Sequence, residues 1–543
     1  MPGGGQKVLV AVGAQNTMFN GNPEETKFYK VFKRHTHFSQ ENITIPVDGP
    51  NELLMDSQIR LRAKIPRNAD LLTDLVFAFE LPPMYSKIAE ERIPAFRWIH
   101  QIGAHIIASV GIYIGGTRIQ EFPGEWIAVR ATADYPTEKY NKWRALVGDL
   151  PELNEPEWGV HGKSSNYPFQ AGEYPHAVQD PAEPLRAQAP SIPARTVRVP
   201  LPFWFTDSWG KALPLVALQL HEVEVQITLR SLREVFRIME PTFQEEPCRP
   251  GRQLIEDTNK PTRYSLAPPA PPPGYNLTLQ NLYGTTDTDP AYSIRNYFTD
   301  ASTLTPTTEG FVMNPRLEGN YVYVTEKEQA MFAERALTYL VHQVQTFQFP
   351  TVTARTRFEL ETHGLASRLL FFGRRSDAIE SRNDYLNFTN WKSPNRAPFW
   401  PQSAGTPVPN SGFAVPFYDE RSILSSARLL LAGNEYQEEK PASFFELQTP
   451  FTHATGSAIQ SPATVRPGDL MGPIYHFPFA LEPSDHAQPS GSLNVSRFRE
   501  IQLEVAPTQL DPDGQYVYDF TVYLESMNLV KIQNGMGGLG WAI

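Results

Sequence analysis

Residue types that could do chemistry are scattered along this chain, and each needs a context that the sequence does not supply. Gly535-Met-Gly537-Gly-Leu-Gly540 has the G-x-G-x-x-G spacing that lets a backbone approach a pyrophosphate. That role requires a helix directly after the glycines, and only three residues follow Gly540, so the run reads as a flexible or tightly turned tail. An iron site of two histidines and a carboxylate usually starts with His-x-Asp or His-x-Glu. No histidine here has that spacing, and the close pair His35 and His37 lies in KVFKRHTHF, where neighbouring cations repel a metal. Cys248 sits in a proline-rich stretch with no histidine near it, and no G-x-S-x-G elbow exists, so neither acyl-transfer nucleophile is supported. Asp511-Pro-Asp-Gly514 lacks the glutamate that completes a calcium loop and reads as a turn before a strand. His221 and Glu222 are adjacent, and adjacent strand residues point to opposite faces. Lys27, Lys30, Lys33 and Arg34, interleaved with Phe28, Tyr29 and Phe32, could touch nucleic acid or a lipid headgroup; the plainer reading is an amphipathic segment docked on protein. The expected numbers of catalytic, cofactor-binding and metal-ligating residues are therefore all zero, and no cofactor is expected.

Composition narrows the classes further. A chain of 543 residues exceeds what one core serves, roughly 250–300 residues, so at least two cores are expected. Proline accounts for 50 residues, about 9% against a typical ~5%, which excludes a helical bundle. Aromatic residues at 12% favour strands. Lysine and arginine number 48 and the acidic residues 59, a net charge of −11 that argues against a duplex-binding surface. A single cysteine allows no internal disulfide and no thiolate zinc cage. No apolar run approaches ~18 residues, so no membrane span is expected, and the start of the chain has too short an apolar run for a secretory signal. Without that signal the sequons at Asn42, Asn276, Asn387 and Asn494 are expected to be chance matches.

The elements that would position any site are strands. Residues 58–65 alternate, with Ile59, Leu61, Ala63 and Ile65 on one face and Arg60, Arg62 and Lys64 on the other. Residues 222–230 repeat the pattern with Val223, Val225, Ile227 and Leu229 inward. Tyr516, Tyr518, Phe520, Val522 and Leu524 make one face of a late strand, with Asp519, Thr521 and Glu525 assigned to the outside. Further strands are expected at 74–81, 105–115, 195–205, 319–324, 338–348, 355–361, 367–372, 426–432, 474–481 and 493–505. Helices are expected only at 137–147 and after Thr325, where Thr325-Glu326-Lys327-Glu328 spells a capping box. Proline-rich insertions occupy 151–193 and 231–317, and the nine prolines of 241–273 read as an exposed loop. Gly111–Arg118 resembles Arg428–Glu435, and Leu213–Leu218 resembles Phe477–Leu481, in the same order in the two halves. That echo suggests one β-domain duplicated.

Several longer words are more specific. GAQNTMFNGNPEETKFYKVFKRHTHFSQE (13–41), Arg67–Asp74, Gly115–Ile119 and ALPLVALQLHEVEV (212–225) resemble the major capsid proteins of large nucleocytoplasmic icosahedral DNA viruses. NYVYVTEKEQAMFA (320–333), the stretch Ala480–Arg497 and NGMGGLGWAI (534–543) continue the resemblance in family order. It implies an all-β double jelly roll: two eight-stranded antiparallel sandwiches side by side, with few short helices and long loops. The expected division is an N-terminal arm at 1–24, a first jelly roll at 25–325 with insertions at 151–193 and 231–317, a linker helix at 326–336, a second jelly roll at 337–534 and a glycine-rich tail at 535–543. The implied function is structural, not enzymatic: homotrimeric, pseudo-hexameric capsomers that tile an icosahedral shell. Implied partners are the chain itself, neighbouring capsomers, and minor capsid proteins with an internal membrane layer beneath the shell. No sequence-specific nucleic-acid contact is expected, and the location is the virion, assembled in host cytoplasm. A carbohydrate-binding jelly-roll protein is the competing class.

Overall fold

The computed structural model describes residues 3–86, 95–156, 174–175, 190–239, 255–256, 264–265, 297, 311–380, 383–390, 422–456, 472–508 and 516–541. Cys248, Asn276, Asp511–Gly514, most of the 151–193 stretch and nearly all of the 241–273 stretch lie outside these residues.

Sixteen strands carry the architecture. The first half contributes β1 (Phe38–Pro46), β2 (Ile59–Lys64), β3 (Leu71–Leu81), β4 (Ile107–Ile114), β5 (Thr117–Phe122), β6 (Arg195–Pro200), β7 (Val223–Leu229) and β8 (Arg316–Val324). The second contributes β9 (Leu337–Val352), β10 (Thr356–Glu359), β11 (Leu365–Arg375), β12 (Leu424–Leu431), β13 (Asn434–Pro441), β14 (Tyr475–Pro478), β15 (Ile501–Pro507) and β16 (Tyr518–Gln533). Hydrogen bonding orders them β1-β8-β3-β6 facing β2-β7-β4-β5, then β9-β16-β11-β14 facing β10-β15-β12-β13. Adding eight to each strand number of the first half gives the second. Every pairing among these strands is antiparallel. Each half is thus one jelly roll, and the chain is a double jelly roll.

Alternation explains the individual strands. In β2 and β7 the Ile, Leu, Ala and Val positions are buried, while the intervening residues stay at the surface. The two strands pair with Leu61 opposite Ile227 and Arg62 opposite Gln226, so their apolar faces meet on one side. The β4–β5 and β12–β13 hairpins turn on Gly115-Gly116 and Ala432-Gly433, with φ of +56°, +80°, +49° and +79°. Two positive φ values are the type I′ pattern that matches strand twist. A Cβ at Gly433 would meet nothing within 4 Å, so the constraint there is purely conformational. Gly433→Ala is expected to destabilise the chain by about 1–2 kcal/mol; an unchanged urea midpoint would count against it.

The first sequence echo, Gly111–Arg118 with Arg428–Glu435, joins equivalent hairpins. The second is corrected. Residues 213–217 form a short strand and a 3-10 turn beside β3, and their counterpart beside β11 is 493–497. Phe477 lies instead on β14, the equivalent of β6. Leu-Pro and Phe-Pro matched on residue type alone.

Helices connect the rolls. Besides α2 (Thr137–Leu146) and α3 (Glu326–Glu334), an unexpected helix, α1 (Gly124–Asp134), follows β5, and all eleven of its residues are buried. The capping box before α3 is not formed as expected. Thr325 Oγ1 points to the Glu328 carboxylate at 3.5 Å and takes no backbone N–H, and Glu328 accepts instead from Thr36 Oγ1 at 2.7 Å. The arm and the residues after it stay at the surface from residue 3 to residue 37, with helical turns at Gly4–Val10 and Ala14–Asn20 that bury no side chain. Among the described residues no helix is long and apolar enough to cross a membrane.

Candidate functional site: a buried ionic seam between the jelly rolls

The run Leu369-Leu370-Phe371-Phe372 on β11 has no polar face. Leu369 and Phe371 enter the core of the second roll, while Leu370 and Phe372 enter the core of the first. β16 divides in the same way, with Val522 and Leu524 in one core and Tyr523, Val530 and Ile532 in the other. One sheet therefore serves two cores, because α1 lies across its far side. α1 comes close to its own roll through Gly124, where a Cβ would stand 2.1 Å from the Ala104 carbonyl oxygen and 2.4 Å from that of Ile107. Only glycine fits there.

Burying a helix with charged residues against a sheet requires compensation for each charge. Arg368, 1% exposed, forks between two carboxylates. Its Nη1 and Nη2 donate to Asp134 at 2.6 and 2.7 Å, and its Nε and Nη2 donate to Glu525 at 2.7 and 3.0 Å. Trp126 Nε1 donates to Glu525 at 3.0 Å. Ser484 Oγ donates to Asp134 at 2.9 Å, and His486 Nε2 lies 3.3 Å from the same carboxylate. Next along α1, Arg130 donates to Asp207 at 2.7 Å and to the Pro202 carbonyl at 3.1 Å. Arg374 pairs with Glu125, which also accepts from the Tyr523 hydroxyl at 3.1 Å. Lys211 reaches across to the carbonyls of His486 and Leu340. Four cations (Arg130, Lys211, Arg368, Arg374) thus face four carboxylates (Glu125, Asp134, Asp207, Glu525).

Electrostatics follow from this placement. Burial works to raise the Asp134 carboxyl, but Arg368 and then His486 outweigh it and hold it well below the usual carboxylate range. Glu125 is likewise lowered, its burial overcome by Arg374. Burial, with His486 and nearby cations, pushes the His342 imidazole well below its ordinary value, so it is neutral where it packs edge-on against His486. The arrangement joins the surfaces of the two rolls.

The residues singled out in the sequence lie elsewhere. His35 contacts the Thr36 carbonyl and the Phe38 ring on the exposed N-terminal segment, and among the described residues no cluster of three metal-ligating side chains occurs. Lys27, Lys30, Lys33, Arg34, Phe28, Tyr29 and Phe32 are exposed, so that segment is not docked on its own chain. His221 and Glu222 do not share a strand; Glu222 pairs with Lys64 at 2.5 Å, and the His221 imidazole takes the Gly537 N–H at 3.2 Å. The glycine motif is not a free tail. Met536–Leu539 forms a strand on β16, and a Cβ on Gly537 would stand 3.0 Å from Ile114 and Leu218 of the first roll. Of the sequons, Asn387 is buried and Asn42 and Asn494 are exposed. Sequence reasoning missed Glu125, Asp134, Arg368 and Arg374 and placed Glu525 on an outward face. The available signal was the unbroken apolar run 369–372, since a strand buried on both faces loses its alternation.

Comparison with known proteins places this architecture. The family model "Major capsid protein N-terminus" matches residues 26–261, and "Large eukaryotic DNA virus major capsid protein" matches 328–538. The chain belongs to the major capsid proteins of large eukaryotic DNA viruses. The major capsid protein of Phaeocystis pouchetii virus is 24% identical over 565 residues, covering 99% of both chains. That of Paramecium bursaria Chlorella virus 1 is 23% identical over 562 residues, again covering 99% of both. The quasi-atomic model of the PBCV-1 virus capsid shares the fold with a TM-score of 0.59 at 18% identity, covering 95% of this chain and 100% of that one. The Faustovirus major capsid protein does so at 0.58 and 15%, covering 96% and 94%. This capsid protein is a structural component of a virion shell, where it associates with its own kind, and not an enzyme.

Proposed function

We propose that three copies of the chain close into a pseudo-hexagonal capsomer, and that such capsomers tile an icosahedral shell. The observation that carries this reading is the repeated strand order: each chain supplies two equivalent rolls held as one body by the seam. Three chains then present six similar rolls, and threefold symmetry acquires a nearly sixfold outline. A cyclic trimer uses a heterologous contact that closes on itself. The working division is an arm at 1–24, rolls at 25–325 and 337–534, a linker helix at 326–336 and a terminal segment at 535–543. The exposed N-terminal segment, the arm together with residues 25–34, supports a further part of the reading. Val8, Leu9, Val10, Met18, Phe19, Phe28 and Phe32 are all exposed on it, beside Lys27, Lys30, Lys33 and Arg34. Apolar side chains in such number suit a partner surface, and the cations suit an anionic one. Minor capsid proteins and an internal membrane layer beneath the shell fit that description, with assembly in the host cytoplasm. Native mass spectrometry of purified protein tests the core of the proposal. Three chains of 61.2 kDa give about 184 kDa, and a chain lacking residues 1–24 is expected to form the corresponding trimer. A monomer at micromolar concentration overturns the reading.

A further inference from the structure

The duplication leaves one pair of equivalent elements in opposite environments. β5 ends at Phe122 and Pro123 leads into α1; β13 ends at Pro441 and a helical segment, Phe444–His453, follows. Counted from those prolines, Phe444, Leu447 and Phe451 fall at the sequence spacings of Trp126, Val129 and Ala133, with Phe444–Gln448 wound as a π turn. The first trio is buried. In the second, Phe444 is only partly covered, Leu447 is 50% exposed and Phe451 is 92% exposed, with Tyr436 and Leu481 also exposed beside them.

What α1 covers also has a counterpart. α1 lies on the outer face of β9-β16-β11-β14, and the equivalent face belongs to β1-β8-β3-β6. β3 and β11 are both eleven residues long and hold the same register, since Leu71 pairs with Pro214 as Leu365 pairs with Asn494. Asp74, Val76 and Glu80 therefore occupy the positions of Arg368, Leu370 and Arg374. In a single chain this face is only partly covered: Phe332 of α3 packs by Leu71 and Val322, and Ala78 is buried, while Asp74 is exposed and Val76 and Glu80 are partly exposed. Sizes are exchanged as well. Within the chain α1 brings the small Ala131 to a core that holds Leu370 and Phe372, whereas the partly covered sheet has Val76 and Ala78 and the exposed helix has Leu447 and Phe451. The exposed helix also continues into the existing seam, because Thr455 Oγ1 donates to the Asp134 carbonyl at 2.8 Å and the Gly456 N–H to that of Ala133 at 2.8 Å.

We infer that the Phe444–His453 face docks on the outer face of the β1-β8-β3-β6 sheet of a second copy of this chain, so that the contact between chains repeats the contact within one. This rests on the trimer reading and names the surfaces that make it. Three such helix-to-sheet contacts run head to tail and close the ring. The test compares wild type, a Leu447→Asp/Phe451→Asp double variant and Val76→Arg by native mass spectrometry at one concentration, with circular dichroism to confirm folding. Both variants alter side chains that a lone chain leaves exposed or half exposed, so the fold is expected to survive. Each is expected to lower the trimer fraction about tenfold or more, the scale of losing an interface anchor. A trimeric wild type with both variants equally trimeric overturns this inference and leaves the trimer standing. A monomeric wild type overturns the trimer reading itself.

Discussion

Replacing Arg368 by alanine is expected to lower the unfolding free energy by about 3–5 kcal/mol, the usual result of removing one partner from a buried ionic pair. The guanidinium makes four hydrogen bonds to Asp134 and Glu525, and both carboxylates lie in the seam with almost no access to water. Without the cation, two buried anions face each other. Lysine does not replace it, because a single ammonium cannot reproduce the fork that meets two carboxylates at once. The control is Lys64 with Glu222, whose side chains are 58% and 60% exposed. Breaking that pair by Lys64→Ala is expected to change stability by about 0–1 kcal/mol. Chemical denaturation followed by tryptophan fluorescence measures both. A loss below about 1 kcal/mol for Arg368→Ala, no larger than the exposed-pair control, would show that the seam is not held by this residue.

Acid is expected to destabilise the chain steeply, beginning well above the range where carboxylates titrate. His105 and His476 are fully enclosed, and burial pushes each down to about 3 from an ordinary 6.5. His342 is lowered in the same direction. The His105 ring stacks on Tyr385, and neither of its nitrogens has a hydrogen-bond partner among the described residues. All three are neutral in the fold and become charged once it opens. The unfolded chain therefore binds more protons below pH 6.5, and stability falls as pH drops from about 6.5 toward 3. Each such proton contributes about 1.4 kcal/mol per pH unit, so three give a slope of about 4 kcal/mol per unit. Glu504 adds to the loss at lower pH. Its burial is outweighed by Arg428, Arg357 and Arg355, which hold its carboxyl at about 2, so that contribution disappears between about 4.5 and 2. Denaturation midpoints at pH 7, 6, 5 and 4 report the slope, and His476→Asn is expected to remove about a third of it. Equal midpoints at pH 7 and pH 5 would contradict the assignment.

Much of the fold was legible because strands with one wet face advertise themselves. β2 and β7 alternate strictly, and both were readable to within a residue or two. α1 was not legible, and the reason is physical: a helix enclosed on every side has no polar stripe, and GEWIAVRATAD shows neither a helical nor a strand period. The seam was hidden by the same rule. Glu525 alternates with Leu524 and so reads as outward, which it is with respect to its own sandwich; the outside in question is the interior of the other one. Arg368 and Arg374 flank an apolar run and look like its solvated ends, yet both are buried. The glycine-rich terminus misled in the other direction, since its small residues serve close packing against Ile114 and Leu218, which no local pattern reveals.

The sheet that belongs to two cores has a mechanical consequence. A hinge needs a layer that can slide or open, and between the two rolls of one chain there is none: any rotation would tear apolar contacts on one side of β11 and β16 and separate ion pairs on the same surface. The chain is then a rigid wall block whose internal angle is set when it folds. Curvature in a shell of such blocks, at an edge or at a vertex, is taken up at the joints where one chain meets another.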